Sequence, residues 1–139
     1  MKHKRTSSIL VANDGSKYSE KAFVYACELS SMKNIPLLII NVVEEYATTG
    51  YSILKELKKS SNKMLREYKE RAESIGIQKP ITINSVGNVV EEILKIVNRK
   101  FVDTLVIRSR GKYGTSEDML GGTSYKLIYY SKCTVTIVR

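Results

Sequence analysis

The fold is decided by the stretch Thr104-Leu105-Val106-Ile107-Arg108-Ser109-Arg110-Gly111, which is followed, after nine residues, by Gly121-Gly122-Thr123-Ser124. The apolar residues predict a buried strand, the glycines predict a loop, and the last four residues predict the first turn of a helix. Free backbone N–H groups and the helix dipole at such a turn attract a phosphate. We therefore expect the functional site of the chain at this loop.

Strand-like and helix-like segments alternate along the rest of the chain, which predicts a parallel sheet with helices on both faces. Continuous apolar runs predict interior strands at residues 8–12, 37–43 and 105–107. Apolar and polar residues alternate at residues 81–84 and 134–138, which predicts two strands at the edges of the sheet.

Four helices are predicted between these strands. The first begins near Lys17 with Ser16 as its N-cap and ends before Asn34; the second ends at Gly76. The third follows residues 87–88 and the fourth spans 122 to about 130. Their predicted inward positions are, in chain order, Ala22, Phe23, Ala26, Cys27 and Leu29; Leu54, Leu57, Ser61, Met64, Leu65, Tyr68, Ala72 and Ile75; Val90, Ile93, Leu94 and Val97; Leu127 and Ile128.

The length of 139 residues fits one domain, predicted over residues 1–139. Right-handed crossovers, with the two alternating strands at the edges, predict a doubly wound, Rossmann-like α/β fold with five parallel strands in the order 3-2-1-4-5. The connections reverse direction between the first and fourth strands, and ligands bind at the carboxyl ends of the strands there. Asn13-Asp14-Gly15 and residues 108–111 are therefore expected to line one crevice.

Composition narrows the function classes. No apolar run approaches the length that spans a membrane, and Met1-Lys2-His3-Lys4-Arg5 leads into too short an apolar run for a signal peptide. Cys27 and Cys133 lack CxxC spacing and are expected to be reduced core residues, so we expect a cytoplasmic protein. No Walker lysine motif, GxGxxG fingerprint or metal-ligand cluster is found.

The net charge of +9 would suit an anionic partner. Along residues 55–73, however, basic and acidic residues alternate in the pattern of a solvated helix face. No known nucleic-acid-binding motif accompanies the charge, and nucleic acid is the weaker hypothesis.

The residues quoted above resemble the universal stress protein family over essentially the whole length of the chain. Ile9-Leu10-Val11-Ala12-Asn13-Asp14-Gly15-Ser16, with Ser19-Glu20-Lys21-Ala22, is similar to its opening strand and helix, and residues 131–139 are similar to its closing strand. The nucleotide-binding branch carries a glycine, two residues, a second glycine, nine residues, and a glycine with serine or threonine. Gly111, the nine residues 112–120 and Gly121 keep that spacing.

The resemblance implies an adenine nucleotide alpha hydrolase-like fold, ATP as ligand with or without Mg²⁺, and a homodimer through the strand Thr134 to Val138. It implies that Ala12, Asn13 and Asp14 contact adenosine and that Val42 borders the adenine. The binding residues expected nearer the phosphates are Ile107, Arg108, Arg110, Gly111, Gly121, Gly122, Thr123 and Ser124.

Two positions depart from the family pattern: Arg108 replaces the first glycine, and Gly122 replaces the hydroxyl residue. An arginine at the strand end closes the pocket or shifts the sugar. A lost hydroxyl removes a hydrogen bond to a charged group, worth about 1.5–3 kcal/mol. Thr123, one residue further along, and the positive charges of Arg110 and Lys112 are candidates for compensation.

Each candidate also has a structural interpretation. Asp14 suits a loop and helix-capping carboxylate, Gly121 and Gly122 a flexible helix entry, and Val42 a core position. For Arg108 the favoured interpretation is a solvent-pointing side chain. Glu117 and Asp118 suit a solvated loop better than a magnesium site.

The sequence thus predicts a regulatory stress-response module that binds ATP or a related adenine nucleotide without efficient catalysis. Bound triphosphate would order residues 112–120 and change a surface that an unknown partner protein contacts. The alternatives are a nucleotide-free dimeric interaction module whose pocket is filled by Arg108, a slow adenine-nucleotide hydrolase, and, more weakly, a nucleic-acid binder.

Overall fold

The computed structural model describes residues 7–46, 48–99, 101–109 and 121–139. Strands and helices alternate along the chain as the sequence predicts. The strands are β1 Ser8–Ala12, β2 Leu37–Glu44, β3 Ile81–Gly87, β4 Val102–Arg108 and β5 Thr134–Val138. The helices are α1 Lys17–Lys33, α2 Tyr51–Ser74, α3 Val89–Arg99 and α4 Gly122–Tyr130.

All four strand pairings are parallel, and the strand order is β3-β2-β1-β4-β5. This confirms the predicted doubly wound α/β fold, its strand order and its two edge strands. The apolar runs of β1, β2 and β4 are buried because these strands are covered on both faces. The carboxyl ends of β1 and β4 are neighbours in the sheet, as the switch-point argument requires.

Each face of the sheet packs against one pair of helices. On one face, Val11 and Ile39 of the sheet pack with Phe23 of α1 and Leu65 of α2. On the other, Leu10 and Leu105 pack with Ile93 of α3 and Leu127 of α4. The helices therefore cover both faces, as expected.

Some predicted inward positions are wrong. Leu57 is 42% exposed, Ile75 61% and Ile128 40%, whereas Leu29 is partly buried and packs against the core as predicted. The 24 residues of α2 span about 36 Å, whereas the 7 residues of β3 span about 23 Å, so the helix overhangs the sheet. The buried stripe of α2 is confined to Ser61, Leu65, Tyr68 and Ala72. Cys133 is half-buried rather than a core residue.

Candidate functional site

A crevice of about 630 Å³ lies at the carboxyl ends of β1, β2 and β4, between α2 and α4. Most of the site residues expected from the sequence line it: Ala12, Asn13, Asp14, Val42, Ile107, Arg108, Gly121, Thr123 and Ser124. Gly122 is exposed at the start of α4 and is not among the lining residues. Arg110 and Gly111, like Lys112, Glu117 and Asp118, lie outside the described residues.

Apolar and polar residues line the crevice at both sides. At the β2 side, α2 contributes Leu57, Ser61 and Met64, and the strand contributes Val42, which belongs to the apolar cluster on the α3–α4 face of the sheet. At the β4 side, the lining includes Ile107, Arg108 and the first residues of α4. Val42 was expected at the site from the sequence, whereas the residues that α2 contributes to the lining were not. The signal was present, because Leu57, Ser61 and Met64 share one helical stripe.

The loop after β1 is held by its own side chains. Asn13 is buried, and its Oδ1 accepts hydrogen bonds from the Gly15 amide at 3.0 Å and the Ser19 hydroxyl at 2.7 Å. Gly15 has a φ of +79°, and a Cβ there would lie 2.8 Å from the Met64 sulfur. Because both conditions exclude larger residues, glycine is required at this turn.

A second pair of polar residues connects this loop to α2. The Asn41 side-chain amide donates to the Asn13 carbonyl at 2.7 Å, and the Ser61 hydroxyl donates to Asn41 Oδ1 at 2.6 Å. Asn41 and Ser61 both line the crevice. The floor of the site is therefore positioned by hydrogen bonds between β1, β2 and α2.

Arg108 and Asp14 form an ion pair inside the crevice. Arg108 Nε lies 2.9 Å and Nη2 2.7 Å from the same oxygen, Asp14 Oδ2, and the two side chains are 20% and 27% exposed. The expectation that Arg108 points into solvent is therefore wrong. The reason is that β1 and β4 are adjacent, so the Asp14 carboxylate is within reach of the guanidinium.

The other Asp14 oxygen has a structural role, because Oδ1 accepts a hydrogen bond from the Ser16 amide at 3.0 Å. Burial raises the pKa of Asp14, but hydrogen bonds from Arg108 and Ser16, with the positive charge of Arg108, outweigh burial and hold the pKa below its ordinary value. The carboxyl group is consequently ionised at neutral pH.

The β4 side of the crevice ends at the start of α4. The N-cap residue Gly121 has extended backbone angles, φ −64° and ψ 156°, and makes no side-chain capping hydrogen bond. Ser124 is buried, and its hydroxyl donates to the Arg108 carbonyl at 3.1 Å, which joins the helix to the end of β4. An anion here would meet backbone amides, the positive end of the helix dipole and a guanidinium.

Other features of the described residues bear on the site chemistry. No group of three or more His, Cys, Asp and Glu side chains that could hold a metal ion occurs among them. Cys27 and Cys133 are free thiols, and burial raises the pKa of Cys27 to about 11. Within the same residues, no helix has the length and apolar character needed to cross a membrane.

Comparisons with known proteins place the chain in a family. The model of the universal stress protein family matches residues 6–139, and the chain belongs to this family. Universal stress protein YxiE of Bacillus subtilis is 36% identical, with 96% of this chain and 99% of YxiE covered.

Solved structures share the architecture. The universal stress protein UspA from Lactobacillus plantarum has a TM-score of 0.84 at 20% identity, covering 99% of this chain and 100% of that one. A universal stress protein in complex with cAMP has a TM-score of 0.76 at 21% identity, covering 98% of this chain and 99% of that one.

Proposed function

We propose that this universal stress protein binds ATP or a related adenine nucleotide in the crevice, as a regulatory ligand in a stress response and without efficient turnover. The observation that carries the proposal is one 630 Å³ crevice that has apolar side chains at its β2 side and an uncapped helix N-terminus at its β4 side. Apolar contacts suit a flat base, and free backbone amides suit a polyphosphate.

The proposed orientation follows from the strand order. The base lies against Val42, Leu57 and Met64 at the β2 side, and the phosphates lie at Gly121 and Thr123 at the β4 side. The sugar then lies near Asp14, at the end of the strand between them. The similar structure that contains cAMP supports an adenine nucleotide as the ligand class.

The effect of ligand on a partner is proposed to pass through residues 112–120, which lie outside the described residues. They belong to the connection between β4 and α4, the two elements that border the proposed phosphate position. Limited proteolysis of this segment with and without Mg-ATP tests the coupling. We expect protection by nucleotide, and an unchanged cleavage rate at saturation would contradict the coupling.

A charge placed at the start of α4 tests the binding site. Gly121→Asp puts a carboxylate where the phosphates are proposed, and a Cβ at Gly121 meets no atom within 4 Å. Asp at an N-cap stabilises a helix, so the fold is retained while a phosphate is repelled. We expect at least about a tenfold loss of ATP affinity by calorimetry.

The matched control is Gly50→Asp. Gly50 is the N-cap of α2, also lacks a side-chain capping bond, has equally open space and is not among the crevice residues. We expect it to bind ATP as the wild type does. Absence of heat with millimolar Mg-ATP in the wild type, together with no nucleotide released from freshly purified protein on denaturation, would refute the proposal.

The second candidate function is a nucleotide-free interaction module, and the Arg108–Asp14 pair inside the crevice favours it. Under this alternative the guanidinium occupies the space of the sugar. The double variant Arg108→Gly with Gly122→Ser then creates ATP binding that the wild type lacks. If the wild type already binds and the double variant gains only modestly, the nucleotide-binding function is supported.

The wild type and the two glycine variants can also be tested for slow hydrolysis of ATP. In the crevice, the described acidic residues are Asp14, which is paired with Arg108, and Glu44 at the β2 side. We expect no phosphate release above that of a heat-killed control. Steady release, lost in Gly121→Asp and kept in Gly50→Asp, would support the hydrolase alternative instead.

A homodimer through β5 is part of the proposal. The strand forms one edge of the sheet, and Val135, Ile137 and Val138 are only half-buried, which is a liability for an unpaired edge. We expect light scattering at micromolar concentration to give twice the chain mass, and a monomer would contradict the dimer. The two free thiols support a reducing compartment such as the cytoplasm as the proposed location.

A further inference from the structure

The Arg108–Asp14 pair bears on which adenine nucleotides fit the crevice, an inference that rests on the proposed function. The pair lies between the β2 side of the crevice and the start of α4, because β1 and β4 are the strands between β2 and β5. In the proposed orientation this is the position of the ribose. The chemistry of the pair therefore determines which substituents on the ribose the crevice can accept.

Asp14 has little capacity left to accept hydrogen bonds from a ribose. A carboxylate offers about four lone-pair sites. Arg108 Nε and Nη2 occupy two of them at Oδ2, and the Ser16 amide occupies one at Oδ1. A free ribose has two neighbouring hydroxyl groups, at the 2′ and 3′ carbons. Asp14 cannot accept from both of them while it is paired with Arg108.

Arg108 presents the opposite chemistry. A guanidinium carries five N–H donors in a planar fork that matches a phosphate. The contact with Asp14 uses the Nε donor and one at Nη2, so further donors of the same rigid group extend beyond the pair. Because the side chain is partly exposed in the crevice, a bound ligand can contact these donors.

We propose that the crevice selects adenine nucleotides that carry a phosphate on the 2′ or 3′ oxygen of the ribose in addition to a 5′ phosphate. The secondary phosphate accepts hydrogen bonds from Arg108, and the 5′ phosphate lies at the start of α4. Arg108 is thus the residue that determines specificity between nucleotides with a phosphorylated ribose and those with a free ribose diol.

Calorimetry with isomeric ligands tests this specificity. Adenosine 3′,5′-bisphosphate and adenosine 2′,5′-bisphosphate each carry two phosphates, as ADP does, and differ from ADP only in where the second phosphate is attached. We expect one of the two ring-phosphorylated isomers to bind wild-type protein about tenfold to a hundredfold more tightly than ADP, the gain of a charge-assisted hydrogen bond. The better isomer identifies the ribose oxygen.

Two variants assign the preference to Arg108. Arg108→Gln is expected to bind the three ligands within about threefold of one another, since the neutral side chain gains little from a second phosphate on the ring. Arg71→Gln is the matched control, because Arg71 pairs with Glu20 but does not line the crevice. It is expected to keep the wild-type preference.

The outcomes separate this inference from the proposed function. ADP binding as tightly as both isomers, or a preference that persists in Arg108→Gln, overturns the specificity while leaving nucleotide binding intact. Failure of ADP, ATP and both isomers to bind overturns both. The comparison of ligands on wild-type protein requires no variant, so it decides the specificity even if Arg108→Gln does not fold.

Discussion

Helices α1 and α4 begin at the same edge of the sheet, after the neighbouring strands β1 and β4 and on opposite faces, yet their first turns are built in opposite ways. At α1, Ser16 Oγ accepts a hydrogen bond from the Ser19 amide at 3.2 Å. In the preceding loop, Asn13 Oδ1 accepts from the Gly15 amide, and Asp14 Oδ1 accepts from the Ser16 amide. At α4, the N-cap is Gly121, which has no side chain to accept.

Because of this difference, the start of α1 stabilises the structure, whereas the start of α4 is the proposed position for binding. Before and within the first turn of α1, the amides of Gly15, Ser16 and Ser19 donate to side chains of the chain itself, which fixes the loop. The N-cap of α4, Gly121, lines the crevice and offers no side-chain acceptor to the amides that open the helix. A polar group added at α4 should therefore change binding, and one removed at α1 should change stability.

The largest effect is expected at Asn13. Asn13→Ala removes the acceptor of the Gly15 amide and of the buried Ser19 hydroxyl, and the free energy of unfolding should fall by about 2 kcal/mol. Urea denaturation measures the change. The control Asn62→Ala removes an exposed asparagine that is hydrogen-bonded to Asn84, and a change within about 0.5 kcal/mol is expected. Equal losses in the two variants would contradict the structural role of Asn13.

Two glycine substitutions are expected to change the stability of the protein in opposite directions. Gly15→Ala places a Cβ on a residue with φ +79° and against the Met64 sulfur, and it should lower stability by about 1.5 kcal/mol. Gly122→Ala, in open space within the first turn of α4, should raise stability by about 0.5 kcal/mol. Thermal and urea unfolding of both variants would test the comparison, and a loss at Gly122 as large as at Gly15 would break it.

The hydroxyl group at the start of each helix gives a smaller contrast. Ser16→Ala removes the N-cap acceptor of α1 and should lower the free energy of unfolding by about 1 kcal/mol. Gly121→Ser supplies such an acceptor to α4 and should raise it by a few tenths of a kcal/mol. If Ser16→Gly proves as damaging as Ser16→Ala, loss of the hydrogen bond rather than the conformational preference of alanine accounts for the effect.

The sequence predicts the strand order because burial leaves a pattern along each strand. Continuous apolar runs mark β1, β2 and β4, alternation marks β3 and β5, and this distinction alone separates centre from edge. The ends of elements are less well predicted. Leu57 lies on the apolar stripe of α2, but it is 42% exposed, because the overhang of a helix beyond the sheet depends on the lengths of both elements.

The candidate site was predicted in position but not in detail. The switch point of the sheet brought Asp14 and Arg108 to one crevice, and the structure places both there. The direction of the Arg108 side chain was predicted wrongly, because its partner is 94 residues away and no local pattern records their approach. The α2 residues in the lining were missed for the related reason that one apolar stripe serves both the core and the crevice.

The smallest expected effect is the pH dependence of the stability that the Arg108–Asp14 pair contributes, because both side chains are partly exposed and water screens their charges. The pKa of Asp14 is lowered in the folded protein, since the hydrogen bonds from Arg108 and Ser16 outweigh the opposing effect of burial. The stabilisation is therefore fully present above the unfolded pKa, near 4, and is lost as the pH falls through the lower folded pKa.

Asp14→Asn should accordingly be less stable than the wild type at pH 7, and the difference should narrow as the pH is lowered below about 4. Urea midpoints over this range measure it. In an Arg108→Gln background the pH-dependent difference should become smaller, because the Ser16 amide remains but the guanidinium is gone. A difference that is constant with pH would mean that the carboxylate at the end of β1 is not stabilised by its neighbour at the end of β4, and the contrast between the two helix starts would then rest on hydrogen bonding alone.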